Sequence, residues 1–374
     1  MTTLFTSEAV SLFLELAAIP SPSGHEAAVA RRVTAELQGL GLEPREDGSG
    51  QLIDSDSGNV YARLEPTAAG TPIFLCAHLD TVVPTGSIEP VVEDGHVRNA
   101  QATILGADNK AAVAVMLEAV RRVLTEGRPH AGIELVFTTR EETGCQGAAA
   151  FDISLLQGRL GFVYDHQAPI GDVVVAAPYQ RTIDVTFRGR AAHAGINPED
   201  GRSAIQAASR GIAELRLGRL DDETTANVGR ITGGTARNVV PEVCTVTAEA
   251  RSRDEGKLLS LVQEMVDTFV FAASVCDCDV ETNLSELYSG YRLSRDHPAV
   301  ELAWLALERT GFPPRLVEVG GGADANVFNG RGLPCVVLSN GMEAIHSPDE
   351  RIAVADLDAM VEVTLALVDA ARAD

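Results

Sequence analysis

The sequence predicts an α/β protein with a mostly parallel sheet flanked by helices and a smaller α+β domain inserted into it. Towards both ends of the chain, short apolar segments alternate with helical periodicity, which is typical of a parallel sheet covered on both faces. Near Pro178 the pattern changes to alternating polar and apolar residues, as in antiparallel strands with one exposed face. The 374 residues also exceed the usual size of a single core, so two domains are expected.

The outer, catalytic domain is predicted to comprise residues 1–176 and 290–374. Dense apolar spacing predicts a first helix over residues 7–18, and a turn-rich segment follows it at Pro20. The longer predicted elements of this domain are strands 59–64, 71–77, 132–138, 159–164, 316–319 and 333–339, and helices 110–125, 298–310 and 354–371.

The inserted domain is predicted to span residues 177–289 in the order β-α-β-α-β. Its strands alternate in polarity, which leaves one face of the sheet open. The predicted strands are 181–188, 242–250 and 277–284, and the predicted helices are 201–217 and 256–273.

Composition and charge exclude several classes of function. A net charge of −23 argues against nucleic-acid binding, which requires concentrated Lys and Arg. No apolar segment approaches the roughly 20 residues of a membrane helix, and the N-terminus lacks the features of a secretory signal. The six cysteines have no disulfide-framework spacing. We therefore expect a cytoplasmic protein with reduced thiols and no membrane or nucleic-acid partner.

The first candidate site residues are His78 and Asp80, in Ala-His-Leu-Asp-Thr-Val. His78 follows an apolar segment and is predicted at the carboxyl end of a strand, where ligands gather in open α/β sheets. If the strand continues, Asp80 shares a face with His78 and can fix the tautomer of a metal-bound imidazole. Taken alone, His78 could equally be an ordinary core or surface histidine.

Three further carboxylates follow along the chain. Asp108 precedes a predicted helix and is either a helix N-cap or a ligand that offers one oxygen to each of two metals. Glu141 and Glu142 end a predicted strand, where adjacent residues point to opposite sides. One could then bind a metal while the other takes a proton from the attacking water. A solvated acidic pair at a strand end is the alternative.

Asp165 and His346 complete the candidate set. Asp165 ends an apolar strand, and His346 lies in the loop after the last predicted strand. Asp108, Glu142 and Asp165 supply three negative charges against the four positive charges of two divalent ions. Such sets occur in two-metal hydrolases, whose ions lie about 3.5–4 Å apart. We therefore predict a metal-dependent hydrolase of amide bonds.

These motifs, in this order, resemble the co-catalytic zinc peptidase family that includes peptidase T, carboxypeptidase G and aminoacylase. The likeness spans almost the whole chain and depends on His-x-Asp-Thr-Val, Gly-Ala-Asp-Asn-Lys-Ala and Glu-Glu-x-Gly. It implies two divalent ions per subunit, zinc first and cobalt or manganese as alternatives, and a cis Asp108–Asn109 peptide bond. The resemblance implies that His78, Asp108 and Asp165 hold one ion, that Asp108, Glu142 and His346 hold the other, that Glu141 is the general base, and that Asp80 orients His78.

The resemblance extends to the inserted domain, which would form a homodimer or act only as a lid. His193, in Ala-Ala-His-Ala-Gly, would stabilise the oxyanion. Asn238 and Arg251 resemble the family's contacts with the substrate carboxylate, although Arg251 could also be a surface residue. Gly321 belongs to Gly-Gly-Ala-Asp-Ala-Asn, whose backbone would line the substrate site; Ala323 replaces the family's hydroxyl residue there.

The predicted function is therefore a two-metal aminopeptidase of the tripeptidase type that acts on short peptides. Asp at position 165 goes with aminopeptidases in the family, whereas Glu is usual in carboxypeptidases and deacylases. The same chemistry would serve an N-acyl-amino-acid deacylase or a glutamate-type carboxypeptidase. A metal- or peptide-binding protein without activity is an alternative from another class, although no ligand or base is missing.

Overall fold

The computed structural model describes residues 7–373, which form two compact units. The first unit runs to Val175, includes Arg292–Glu318 and resumes at Ala323. The second unit is Ala176–Tyr291 together with Val319–Gly322. The short segment Val319–Gly322 therefore belongs to the second unit although it follows the insertion in sequence.

The six predicted helices are present at about the predicted positions; the sequence analysis missed the 13-residue helix Ala27–Gly39 and three short helices. The first helix begins after Ser7, whose side chain accepts a hydrogen bond from the Val10 N–H (3.3 Å), as N-cap residues do. In chain order the helices are α1 (Glu8–Ala17), α2 (Ala27–Gly39), α3 (Ser49–Leu52), α4 (Ala107–Thr125), α5 (Gln146–Ala150), α6 (Ala204–Glu214), α7 (Glu255–Val275), α8 (Pro298–Arg309), α9 (Asp324–Gly330) and α10 (Val354–Ala370).

The strands belong to three sheets. In chain order they are β1 (Arg45–Glu46), β2 (Val60–Leu64), β3 (Ile73–His78), β4 (Pro90–Glu93), β5 (His96–Asn99), β6 (Ile133–Thr138), β7 (Leu160–His166), β8 (Asp172–Ala177), β9 (Tyr179–Arg188), β10 (Gly218–Arg219), β11 (Thr224–Gly233), β12 (Val243–Ser252), β13 (Asp279–Tyr288), β14 (Tyr291–Arg292), β15 (Arg315–Glu318), β16 (Cys335–Ser339), β17 (Met342–Glu343) and β18 (Arg351–Ala353).

The large sheet has the order β1-β2-β6-β3-β7-β16-β8-β14, with β15 paired to β8. Its central strands β6, β3, β7 and β16 are parallel to one another, and β2 and β8 flank them in the antiparallel direction. All six residues of β3 and of β6 are buried, as expected for strands covered on both faces. This confirms the predicted mostly parallel sheet with flanking helices.

Helix α4 is the central helix of the first unit. Its residues between Ala107 and Val120 are buried without interruption, so it is covered around its whole circumference, and it packs against α1, α10 and β3. Because the carboxyl end of β3 and the start of α4 both contact this core, the residues at these two points are held at one edge of the sheet.

The second unit consists of the antiparallel sheet β10-β11-β12-β9-β13 and the two helices α6 and α7. Its core is formed by apolar residues of β9, β12, α6 and α7, with Phe187 and Phe269 in edge-to-face contact (5.9 Å). The predicted order β-α-β-α-β is incomplete, because the structure contains β11. Residues 224–233 are mostly exposed and include Gly229 at a β-bulge, so they lack the alternating pattern of a strand.

Helix α7 is long and apolar enough to cross a membrane by length and composition, with a mean hydropathy of 1.5. The sequence prediction, which found no segment approaching that length, overlooked it. The buried side of α7, including Leu258, Met265 and Phe269, packs into the core of the second unit. Only 39% of its apolar window is buried in this core, and apolar side chains such as Phe271 (62% exposed) remain on its outer side.

Candidate metal centre

Parallel strands bring four of the candidate residues to the same edge of the large sheet. His78 is the last residue of β3, Asp165 lies near the end of β7, and Glu141 and Glu142 follow β6. The carboxyl ends of neighbouring parallel strands meet at one edge, where open α/β sheets bind their ligands. His346, with a φ of +62°, reaches this edge from the loop between β17 and β18.

Asp108 reaches the same place from the start of α4. Gly106 precedes it with a φ of +79°, a left-handed conformation that favours glycine, and a side chain at this position would meet Thr81. Asp108 and Asn109 themselves have non-helical dihedral angles within the first turn. The Asp108–Asn109 peptide bond is cis, which confirms the expectation from the resemblance.

The ligand atoms form two groups that share Asp108. In the first group, His78 Nε2 lies 3.0 Å from Asp108 Oδ1 and 3.5 Å from Asp165 Oδ1. In the second group, His346 Nε2 lies 3.2 Å from Asp108 Oδ2 and 2.9 Å from Glu142 Oε1. Each group has its ligand atoms within 4.8 Å of one another. The two oxygens of Asp108 therefore face one histidine each.

Asp80 supports this arrangement through its backbone and its side chain. The Asp80 carbonyl oxygen lies 2.9 Å from His78 Nδ1, and a carboxylate oxygen lies 3.4 Å from the same nitrogen. An Nδ1–H donated to Asp80 leaves Nε2 unprotonated for a metal. The predicted reason for this proximity is wrong, because β3 ends at His78 and the two residues do not share a strand face.

The Asp80 carboxylate also fixes the pair of glutamates. It accepts hydrogen bonds from the backbone N–H groups of Glu141 (2.9 Å) and Glu142 (3.2 Å) and from the Ser23 hydroxyl (2.6 Å). The prediction that strand alternation separates the two glutamates is wrong, because β6 ends at Thr138 and Glu142 begins a turn. The turn nevertheless directs Glu142 into the second ligand group and leaves Glu141 outside both groups.

Glu141 lies beside Asp324 and Cys145 rather than among the predicted ligands. Ligand atoms of these three residues are within 4.8 Å of one another, and the Cys145 thiol donates to Glu141 Oε1 (3.4 Å). Burial, followed by the charge of Asp165, raises the pKa of Glu141 well above its ordinary value. Burial likewise raises the pKa of Asp324 to about 6. A half-buried carboxyl group with a raised pKa, such as that of Glu141, is suited to receive a proton during a reaction.

The pKa values of the two histidines are raised by the carboxylates around them. Burial alone would lower the pKa of His78, but hydrogen bonds to Asp108, Asp165 and Asp80 raise it well above its ordinary value. Hydrogen bonds to Asp108 and Glu142 raise the pKa of His346 to about 10. Asp108 is buried, yet His346 and His78 hold its pKa well below its ordinary range. The protein thus concentrates negative charge where two imidazoles converge, which favours cations.

Three residues support the centre through contacts that the sequence analysis did not predict. Asn109 donates its side-chain N–H to Asp165 Oδ1 (3.2 Å). The buried Glu26 accepts a hydrogen bond from the Arg140 N–H (3.0 Å), next to the glutamate pair, and Glu350 accepts three hydrogen bonds at the start of α4. Glu26 follows a turn and Glu350 ends Ser-Pro-Asp-Glu, so neither has a local pattern that predicts burial.

The predicted substrate residues lie in the second unit. His193 and Val239 form an isolated β-bridge, and the Ala194 N–H donates to the Asn238 carbonyl (3.0 Å), so the His193 and Asn238 segments are neighbours. The Gly195 N–H donates to His193 Nδ1 (3.2 Å), which leaves the proton of the neutral ring on Nε2. His193, Asn238 and Gly321 are exposed.

Arg251 lies on β12 and is half-buried. Its guanidinium forms two hydrogen bonds with the Glu249 carboxylate (3.0 and 3.1 Å), and a third N–H donates to the Tyr288 hydroxyl (3.3 Å). An Arg fork is suited to a carboxylate partner. In this structure Glu249 occupies that role, so a substrate carboxylate would compete with Glu249.

The fold and the site define a class of protein: a metal-dependent hydrolase with its centre at the carboxyl edge of a parallel sheet. The family model for peptidase family M20/M25/M40 matches residues 74–370. The chain therefore belongs to this family and is a metal-dependent peptidase, which confirms the resemblance seen in the sequence.

Relatives and solved structures agree with this assignment. An uncharacterised protein of Bacillus subtilis, YqjE, is 38% identical over 96% of this chain and 97% of its own length. The aminopeptidase PepT of Bacillus cereus is 37% identical, with a TM-score of 0.87 over 97% of this chain and 98% of that one. A tripeptidase of Staphylococcus aureus is 33% identical, with a TM-score of 0.91 over 96% of this chain and 97% of that one.

Proposed function

We propose that this protein is a two-metal aminopeptidase that removes the N-terminal residue from tripeptides. The observation that carries the proposal is the sharing of Asp108 by two ligand groups while Glu141 stays outside both. A metal pair and a separate base are what hydrolysis of an amide bond by water requires. The similarity to an aminopeptidase and a tripeptidase over nearly the full length supports the choice of substrate.

The donor set fits two divalent ions. Each group offers one imidazole nitrogen and carboxylate oxygens, the combination found in hydrolytic zinc sites, and zinc is the proposed metal with cobalt or manganese as alternatives. His78, Asp108 and Asp165 would hold one ion, and Asp108, Glu142 and His346 the other. When bound, the ions would polarise the scissile carbonyl and lower the pKa of a water towards about 7.

Glu141 is the proposed general base. It would take a proton from the attacking water and return it to the leaving amine, with Asp80 holding its backbone in place. Burial of the carboxyl group stabilises the protonated form that exists between the two transfers.

The second unit is the proposed lid and supplies the substrate contacts. His193 would donate from Nε2 to the developing oxyanion, since its Nδ1 already accepts a hydrogen bond from Gly195. Asn238 and Arg251 would bind the substrate carboxylate, and the backbone at Gly321 would contact the peptide. His193→Ala should therefore lower kcat, whereas Arg251→Ala should mainly raise KM for tripeptides.

We also propose that the second unit forms a homodimer in the cytoplasm. In support, α7 exposes Leu259 and Phe271 (51% and 62%), and the outer strand β13 exposes Leu284 (49%). Exposed apolar side chains and an open strand edge are features of subunit interfaces. Light scattering should give the mass of two chains for the wild type and of one chain for Phe271→Glu; a wild-type monomer would contradict this proposal.

The proposed cytoplasmic location is supported by the cysteines. All six are free thiols, which suits a reducing compartment.

A substrate panel tests the proposed activity. Purified protein loaded with Zn²⁺, Co²⁺ or Mn²⁺ would be assayed with tripeptides, N-acyl amino acids and peptides that end in Glu. Fastest turnover of tripeptides with a free amino terminus supports the proposal. Turnover confined to N-acyl amino acids or to release of a C-terminal Glu would replace it with deacylase or carboxypeptidase activity. No turnover by metal-loaded protein would favour a binding protein.

A further inference from the structure

Glu350 is a buried carboxylate that reaches across the first unit to the start of α4. Its side chain is 2% exposed. Glu350 Oε2 accepts hydrogen bonds from the N–H groups of Leu105 (2.7 Å) and Gly106 (2.9 Å), and Oε1 accepts one from the N–H of Asp108 (2.9 Å). One side chain thus fixes the backbone on both sides of Ala107.

These N–H groups need an acceptor from outside the helix. The first N–H groups of any helix have no acceptor within it, and here the start of α4 is non-helical at Asp108. The backbone at Asp108 therefore depends on Glu350 for a hydrogen bond that a regular helix start receives from a neighbouring cap residue.

Only a carboxylate satisfies all three donors. Both oxygens of a carboxylate accept, whereas an amide has one accepting oxygen and an NH₂ group that donates. Glutamine at position 350 would direct its NH₂ group at one or two backbone N–H groups. Burial raises the pKa of Glu350, and the hydrogen bonds from the backbone N–H groups of Asp108, Gly106 and Leu105 oppose that rise by stabilising the carboxylate.

The position of Glu350 in the chain links two of the proposed ligands. Glu350 lies four residues after His346, and its own N–H donates to the Ser347 carbonyl (3.2 Å). The same short segment therefore carries His346 and holds the backbone of Asp108, whose Oδ2 lies 3.2 Å from His346 Nε2.

We propose that Glu350 is a positioning residue of the metal centre, which sets the place of the shared Asp108 carboxylate relative to His346. This proposal rests on the two-ion function proposed above. Residues that orient ligands in this way affect metal affinity without touching the metal. Loss of the Glu350 hydrogen bonds would displace Asp108 from both ligand groups at once.

Co²⁺ binding by the full-length, metal-free protein tests the proposal. We expect Glu350→Gln to weaken the binding of both ions by roughly 10–100-fold and to change the visible absorption of bound Co²⁺, which reports coordination geometry. Titration calorimetry gives the affinities and the stoichiometry, and circular dichroism gives the folded fraction.

Glu134→Gln is the matched control. Glu134 is also 2% exposed and also accepts hydrogen bonds from two backbone N–H groups, those of Gln157 and Gly158. Its other hydrogen-bond partner within residues 7–373 is the Tyr61 hydroxyl, so none of its partners there is a proposed ligand. We expect Glu134→Gln to affect stability while leaving Co²⁺ affinity and absorption unchanged.

Unchanged Co²⁺ affinity in folded Glu350→Gln would overturn the proposal. A loss confined to one ion would also overturn it, because a displaced Asp108 is withdrawn from both groups. If Glu350→Gln does not fold, Glu350→Asp takes its place, because it keeps the carboxylate but shortens the side chain. Unchanged Co²⁺ affinity in Glu350→Asp, or a loss confined to one ion, would then overturn the proposal. Wild-type protein that binds two Co²⁺ without cleaving tripeptides would remove the proposed substrate and leave this test intact. Wild-type protein that binds no Co²⁺ would overturn both proposals.

Discussion

Replacement of Glu141 by glutamine separates proton transfer from metal binding. Glu141 lies outside both ligand groups, and its backbone N–H is held by Asp80, a contact that the substitution retains. Glutamine has nearly the same shape but cannot take a proton. General-base catalysis contributes roughly 10²–10⁴-fold, so kcat should fall by that factor, equivalent to about 3–5 kcal/mol in the barrier.

The same variant should retain its fold and its metals. The pKa of Glu141 is raised mainly by desolvation, so replacing its carboxyl group with an uncharged amide removes no favourable ion pair. Steady-state kinetics on tripeptides, with metal content measured by mass spectrometry on the same samples, provides the test.

The adjacent Glu142 supplies the contrast for this experiment. Its carboxylate lies 2.9 Å from His346 Nε2 in the second ligand group. Glu142→Gln should therefore lose metal as well as activity, whereas Glu141→Gln loses activity alone. A Glu141→Gln enzyme within a few-fold of wild-type kcat, or one that has lost an ion, would refute the assignment of Glu141 as the base.

Three further predictions follow from the contacts of the first unit. Asp80→Ala leaves two backbone N–H groups without their acceptor and removes the carboxylate near His78 Nδ1, although the backbone carbonyl of residue 80 still accepts from that nitrogen, so metal affinity and kcat/KM should each fall roughly 10–100-fold; unchanged values in calorimetry and kinetics would contradict this. His346 has a pKa raised to about 10, so it is protonated in the metal-free protein at neutral pH and must release that proton to bind a metal. The apparent affinity for the ion held by His346 should then rise about tenfold per pH unit between pH 6 and 8, and equal affinities for this ion at pH 6 and pH 8 would exclude proton release from His346. Phe74→Ala removes a fully buried ring that contacts Phe328 (5.1 Å) and should destabilise the first unit by about 3–5 kcal/mol, seen as a lower unfolding temperature; an unchanged temperature would contradict the packing.

The sequence predicts structure best where burial alone determines the pattern of residues. The strands β3 and β6 are buried on both faces, so their apolar runs identify them, and parallel pairing then places His78 and the glutamate pair at one edge. Helix α4 is predicted for the same reason, because nearly all of it is buried. The fold class could therefore be predicted from these segments.

The sequence is least informative where tertiary contacts replace local patterns. Strand β11 is mostly exposed and bulged, so no alternation marks it. Asp80 accepts a hydrogen bond from the backbone N–H of Glu141, which is 61 residues away in the sequence. Glu350 accepts one from the backbone N–H of Asp108, which is 242 residues away. Such partners become visible only in the folded chain, which explains why Glu350 was missed and why the explanation for the position of Asp80 was wrong.

The most direct test of a centre built around a shared carboxylate is the metal content of wild-type protein and of Asp108→Ala. Both proteins would be equilibrated with limiting free Zn²⁺ and measured by mass spectrometry, with circular dichroism to verify folding. Asp108 belongs to both ligand groups, so we predict two ions per chain in the wild type and loss of both in the variant. A folded Asp108→Ala protein that keeps either ion at wild-type affinity would contradict the shared ligand and the two-metal chemistry that depends on it.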